Sequence, residues 1–391
     1  MQPIASLQAL PGFPRLLALA SLISMALAAC GGADPEATVG SLRLIGEQRI
    51  ALKQNFNNSV VGGLSGIDYD PVSGNWIMIS DDKSDLSPAR YYTAKLTYDQ
   101  NAFSAVALTD VTYFKQADGS YYPNKVQFAA NGGVGAVVDP ESIRFDPKDR
   151  SIWWTSEGDR TLNLQPFVRH IQADGTLATL PTPAMFSVSP TQTKGSRLNL
   201  SYEAMTFSAD GESLWMALEG PTYEDGTPPT ASAGALTRIS RYDRAGKMLA
   251  QYAYNLSAVP GAPAAGGAAE NGVSEMLAIN SHQFLLLERG VVQGAAGLQF
   301  LLRIYEIDTD GATDVSSLPS LAGASVTPVG KRLVLDLNQA GLPKVDCIEG
   351  ISWGPTLPNG NRSIVLVSDD NFDAFGVKQV TQLLAFEVLP K

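Results

Sequence analysis

Histidine and cysteine are nearly missing from this chain, with two of each in 391 residues. Cys30 falls at the end of an N-terminal apolar run, which leaves Cys347 alone in the body of the chain, so no intramolecular disulfide is expected. Cys347 stands beside Ile348 at a strand start and reads as a small buried hydrophobe rather than a nucleophile. His170 falls in an alternating strand and His282 in a turn, both away from the acidic positions described below, which argues against a Ser-His-Asp triad. Gly195-Ser196 and Gly63-Leu64-Ser65-Gly66 do not match a nucleophile elbow, and no phosphate loop or dinucleotide fingerprint is present. Basic residues are outnumbered, 28 against 39 acidic, for a net charge of −11, which argues against nucleic acid as a partner. Long amphipathic helical patterns are missing too.

The N-terminus reads as a targeting segment. Arg15 precedes the apolar run Leu16 to Ala29, which is too short to span a bilayer. It ends in Leu27-Ala28-Ala29-Cys30, a lipobox-like sequence whose cysteine would be acylated. The expected organisation is a signal peptide over 1–29, a lipidated Cys30 with a flexible tether over 30–40, and one domain over 41–391. The protein is then expected to sit in a bacterial cell envelope as a monomer, held to the membrane through its lipid and facing the periplasm or the exterior.

What the chain does have is a repeat. Glu349-Gly350-Ile351-Ser352-Trp353 and Ile364-Val365-Leu366-Val367-Ser368-Asp369 read as a hairpin with a carboxylate at the start of one strand and another at the end of the next. Antiparallel pairing puts both at the same end. Equivalent hairpins begin at Ser65, Glu141, Glu203 and Glu275 and end at Asp81, Glu157, Glu219 and Glu288. The marked positions are 16 residues apart in three copies (65 to 81, 141 to 157, 203 to 219), and only Ser65 breaks the acidic pattern at the first position. Alternating segments such as Phe167–Ile171, Arg238–Tyr242 and Leu302–Ile307 follow the hairpins as third strands. About four strands per repeat in an all-β chain predict a β-propeller of five blades, with six as the alternative. The segment Leu42–Glu47 is expected to pair with Leu383–Val388 and close the ring.

First strands of blades line a propeller's central channel. The carboxylates Glu141, Glu203, Glu275 and Glu349, with Asp81, Glu157, Glu219, Glu288 and Asp369, are therefore expected to converge at one mouth. Like charges so gathered raise one another's pKa values, and a bound cation relieves the repulsion. An all-oxygen ligand set without histidine suits Ca²⁺. Asp82, Asp370 and Asn371 are further candidates, and Lys83, Arg90, Arg160, Arg289 and Lys378 are candidate anion contacts, Arg289 foremost.

The motifs Gly63-Leu64-Ser65-Gly66-Ile67-Asp68-Tyr69, Asp139-Pro140-Glu141-Ser142-Ile143, Arg197 to Glu203, Glu288-Arg289, and Glu349-Gly350-Ile351 with Ser368-Asp369-Asp370-Asn371-Phe372 carry a resemblance. Together they resemble the family called esterase-like activity of phytase, over about residues 55–389. The resemblance implies a β-propeller that hydrolyses phosphoric or other esters of a small, anionic or ester-bearing substrate. Metal-assisted hydrolysis would place Glu203, Glu157 and Arg289 in catalytic roles. Three classes stay open: a Ca²⁺-dependent phosphoric-ester hydrolase, a hydrolase of carbon esters or lactones, and a non-enzymatic surface propeller.

Overall fold

The computed structural model describes residues 37–171, 177–295 and 297–391. The expected signal peptide and Cys30 lie outside the described residues. Five four-stranded antiparallel sheets are arranged as blades, which settles the count at five. The innermost strands are Leu64–Asp70, Pro140–Phe145, Tyr202–Phe207, Ala269–Ala278 and Cys347–Trp353, each packed on the next around the axis. Blades one to four complete themselves in sequence. Blade five takes Ser41–Ile50 as its outer strand, after Cys347–Trp353, Ser363–Asp369 and Thr381–Leu389. Leu42 faces Val388, Leu44 faces Phe386 and Glu47 faces Leu384, the expected closure, with a bulge between Leu44 and Gly46.

Strand alternation explains how one blade supports two neighbours. In blade one, Trp76 and Met78 pack with Val365, Val367, Leu383 and Ala385 of blade five. The intervening Ile77 and Ile79 pack with Ile143, Trp154 and Phe167 of blade two. Similar apolar layers fill the other three junctions, so the core is a ring of five interblade seams.

Part of the expected tether is not free. Val39 is fully buried against blades four and five. Arg332 donates to the carbonyls of Val39 and Gly40, at 2.6 and 3.2 Å, and the Gly40 amide donates to Leu389. An apolar side chain flanked by satisfied carbonyls gains more by docking than by staying solvated. Any tether over the expected span therefore ends before residue 37. Among the described residues no helix is long and apolar enough to cross a membrane.

Candidate active site at the channel mouth

Each innermost strand carries a bulge at the same height, between Leu64 and Gly66, Pro140 and Ile143, Tyr202 and Ala204, Val273 and Glu275, and Ile348 and Gly350. A bulge leaves a residue outside the ladder and re-aims its side chain. Ser65, Glu141, Glu203, Ser274 and Glu349 occupy this position. One step beyond the facing ladder pairs, the second strands bring Asp81, Glu157, Glu219, Arg289 and Asp369.

Blade four therefore departs from expectation. Its bulge holds Ser274 rather than Glu275, and its second strand brings Arg289 rather than Glu288 to the mouth. Glu275 lies one residue deeper, level with Gly66, Ser142, Ala204 and Gly350. These small residues matter because the inner strands nearly touch: a Cβ on Gly66 would come within 2.6 Å of the Glu141 carbonyl. Glu275 reaches across the axis and pairs with Arg144 at 2.8 Å. It also accepts from Ser142 Oγ (2.7 Å), the Met205 amide (2.9 Å) and the Met276 amide (3.0 Å). Arg144 donates in turn to the carbonyls of Ile67, Ile143, Met276 and Ile351. The pair plugs the channel, and Glu275 has no oxygen left to offer a ligand at the mouth. Glu288 faces away from the axis, bonded to Tyr254 Oη (2.6 Å), Asn271, the Ser257 amide and Lys331 (2.5 Å). It too leaves the expected site.

The remaining seven predicted acids do converge, and Asp139 joins them. Ligand atoms lie within 4.8 Å of one another in the sets Asp139, Glu141 and Glu157; Glu141, Glu203 and Glu349; Glu157, Glu203 and Glu219; and Cys347, Glu349 and Asp369. Asp81 bridges the ends of this arc, facing Glu349, Asp139 and Asp369. Its carboxylate lies against Gly63, whose backbone is left-handed at φ +60°, and a side chain there would collide with it.

Two cations stand among these eight carboxylates. Lys83 pairs with Asp139 at 2.5 Å, and the charges of Asp139, Glu141 and Glu157 hold its ammonium protonated despite burial. Arg289 pairs with Glu219 at 2.5 Å and Glu349 at 2.9 Å, with Glu203 at 3.9 Å. Burial first, and then mutual repulsion, pushes the carboxyls of Asp81, Glu141, Glu157, Glu203 and Asp369 well above the usual range. Glu141 feels Glu203, Asp139, Asp81 and Glu157, all of one sign. Glu219 is pushed up to about 7, burial outweighing the attraction of Arg289. Cys347 donates toward Glu349, and burial beside that carboxylate keeps its thiol protonated, the behaviour of a packing residue.

The other candidates separate cleanly. Asp82 and Asp370 are structural. Asp82 caps the amides of Asp85, Leu86 and Ser87 and pairs with the buried Arg90, while Asp370 accepts from the Gly63 and Phe372 amides and Thr381. The Asn371 amide donates to Asp369 and so steadies a mouth acid. Arg160 donates to the carbonyls of Lys194, Ser196 and Gln192, and Lys378 is exposed. His170 stacks on Trp153 with ring centroids 4.1 Å apart, and His282 bonds Asp308, both away from the mouth. Sequence reasoning passed over Asp139, whose signal was its place beside Pro140 at the entry to a repeat strand.

These residues fit a hard cation. The donors are oxygens, they are buried, and they repel one another. Glu219 Oε2 and the bulge hydroxyls Ser65 Oγ and Ser274 Oγ are buried without a hydrogen-bond partner among the described residues.

The sequence model of the family described as esterase-like activity of phytase (Phytase-like) matches residues 59–372. No match is found among curated proteins. Among solved structures, the endo-arabinase from Bacteroides thetaiotaomicron VPI-5482 aligns over 91% of this chain and 98% of its own, at 11% identity and TM-score 0.41. A proposed glycoside hydrolase from Parabacteroides distasonis ATCC 8503 aligns over 90% and 94%, at 12% identity and TM-score 0.40.

Proposed function

Because the chain belongs to the esterase-like activity of phytase family, we propose that its acidic mouth is the active site of a Ca²⁺-assisted hydrolase of phosphoric or other small esters. The observation that carries this is the gathering, among the described residues, of eight buried carboxylates around two cations, with no hydrogen-bond partner for Glu219 Oε2. Glu141, Glu203 and Glu349 would hold the cation, with Asp81, Asp139, Glu157, Glu219 and Asp369 around them. A bound Ca²⁺ supplies charge neutralisation and polarises a phosphoryl or carbonyl oxygen.

The chain's own groups would do the rest. Arg289, pinned between Glu219 and Glu349, directs its charge at the anionic part of the ester, and Lys83 assists from blade one. Glu203, at the bulge of blade three between Glu141, Glu349, Glu157 and Glu219, would take the proton of the attacking water. Glu157 is steadied for the same task by the Ser201 amide. The lipobox-like Leu27–Cys30 supports an exported protein anchored in the envelope. Cys30→Ser protein should stay unprocessed and lose its membrane association.

Calorimetry with Ca²⁺, beside a phosphatase and arylester screen, tests the reading. Calcium binding with ester turnover, both lost in Glu203→Gln, is the expected result. A protein that binds no calcium and turns over no ester would make the mouth a charged channel lining. The non-enzymatic propeller would then be favoured, with Arg289 serving as the resident counter-charge.

A further inference from the structure

The Arg144–Glu275 plug leaves a second chamber at the opposite end of the channel, where the turns between first and second strands gather. This cavity measures about 810 Å³. Its walls include Tyr69, Phe145, Phe207 and Trp353, and its charged lining comes from blades one, two and five. None of it belongs to the acidic mouth.

Among the cations of the chamber, one stands apart. Among the described residues lining the chamber, Arg144 pairs with Glu275, Lys148 with Glu212, and Arg150 with Asp70. Of the carboxylates, Asp146 pairs with Arg244, while Asp68, with no ion pair of its own among the described residues, accepts from the Phe145 amide at 2.8 Å and Ser352 Oγ at 2.9 Å. Arg362 has no acidic partner among the described residues. Its guanidinium lies over the Trp353 ring, 3.4 Å from the centroid, and its Nη1 is buried without a hydrogen-bond partner. The Trp353 indole is itself fixed, donating to the Ala278 carbonyl at 2.8 Å. Arg144, at the floor, keeps a buried and equally unpartnered Nε. A stacked guanidinium is a preorganised fork whose geometry matches a carboxylate. Leaving Nη1 buried and unmet is costly, so the arrangement favours an anionic ligand on this guanidinium.

We propose that this chamber binds a small aromatic monocarboxylate, its carboxylate on Arg362 and its ring among Tyr69, Phe145, Phe207 and Trp353. Arg362 is the one cation of the chamber, among the described residues, without a carboxylate partner, and a single carboxylate on the ligand would meet it. A phosphate dianion would meet the nearby carboxylates of Asp68, Asp70 and Asp146, and an uncharged aromatic would leave Arg362 unmet. The volume suits a molecule of one or two rings. Nothing in this assignment depends on cation binding or hydrolysis at the mouth.

Phenylacetate is the probe, titrated against the full-length protein by calorimetry. Acetate, inorganic phosphate and 2-phenylethanol serve as partial ligands. The expected result is saturable phenylacetate binding, with each partial ligand at least about tenfold weaker. Arg362→Gln should weaken binding about tenfold or more. Ala209→Trp, which adds bulk at the exposed rim of the chamber, should do the same and decides the matter if the arginine variant fails to fold. Glu203→Gln, at the mouth, should leave phenylacetate binding unchanged. Absence of saturable phenylacetate binding, or affinity unaltered in Arg362→Gln and Ala209→Trp, overturns the proposal. Tighter binding of phosphate than of phenylacetate overturns the ligand class.

Discussion

Two glutamates one residue apart in register do opposite work. Glu203 sits at a bulge among Glu219, Glu157 and Glu349, and burial with these neighbours disfavours its charge. Glu275 sits one step deeper and neutralises a buried arginine. The same substitution should therefore separate them. Glu275→Gln leaves Arg144 charged and uncompensated, and such a loss costs about 3–5 kcal/mol. Glu203→Gln removes a repelling charge, so the metal-free protein at pH 8 should melt no lower than wild type. If the mouth binds calcium as proposed, the variant should also lose most of the calcium-induced rise in melting temperature, which for wild type would correspond to about 2.7 kcal/mol at a hundredfold excess over Kd. Thermal melting of both variants, with EDTA and with calcium, checks the pair. A Glu203→Gln protein that keeps the full calcium shift removes that residue from the cation site.

At the scale of strands, the closing segment Ser41–Ile50 covers the edge of Thr381–Leu389. Deleting residues 41–50 exposes that edge and the faces that Leu42 and Leu44 pack against, a loss of about 5 kcal/mol. The melting temperature should drop sharply, and an unchanged value would discredit the seam. This pairing was legible in the sequence because both segments alternate and each lacked a neighbour. The hairpins were legible for the same reason, as were the acids of blades one, two, three and five. Blade four was misread because carboxylate was aligned on carboxylate. Its apolar frame held the better register: Ile67, Ile143, Met205 and Ile351 each follow a small residue, and Met276 aligns with them only if Glu275 takes the small residue's place. A bulge leaves no mark in a two-residue period, so neither the shift to Ser274 nor the arrival of Arg289 could be read from alternation. The role of Asp139 depends on Lys83, 56 positions earlier in the chain, and only the closed ring brings the two together.

For the molecule as a whole, the mouth sets the response to pH. Folded-state carboxyls with raised pKa values keep protons that the unfolded chain has already released, so stability falls as pH rises. The Glu219 contribution is fully present below about pH 4.5 and is lost as pH passes about 7. For Glu219 alone the swing is about 3 kcal/mol. In EDTA the protein should melt at a lower temperature at pH 8 than at pH 5, and calcium should restore much of the difference at pH 8. A flat profile across that range would mean that the cluster carries no repulsion to relieve. The seam of blade five has a different consequence, a mechanical one. Ser41 lies opposite Leu389 and Ile50 opposite Thr381, so both ends of the ring leave from one point on its rim. Antiparallel hydrogen bonds run across the strands, and tension between these ends therefore pulls along the bonds and breaks them singly. A ring shut against heat is thus soft to a tug on its ends: the first ten-residue strand peels away like a zipper while the other four blades keep their own sheets.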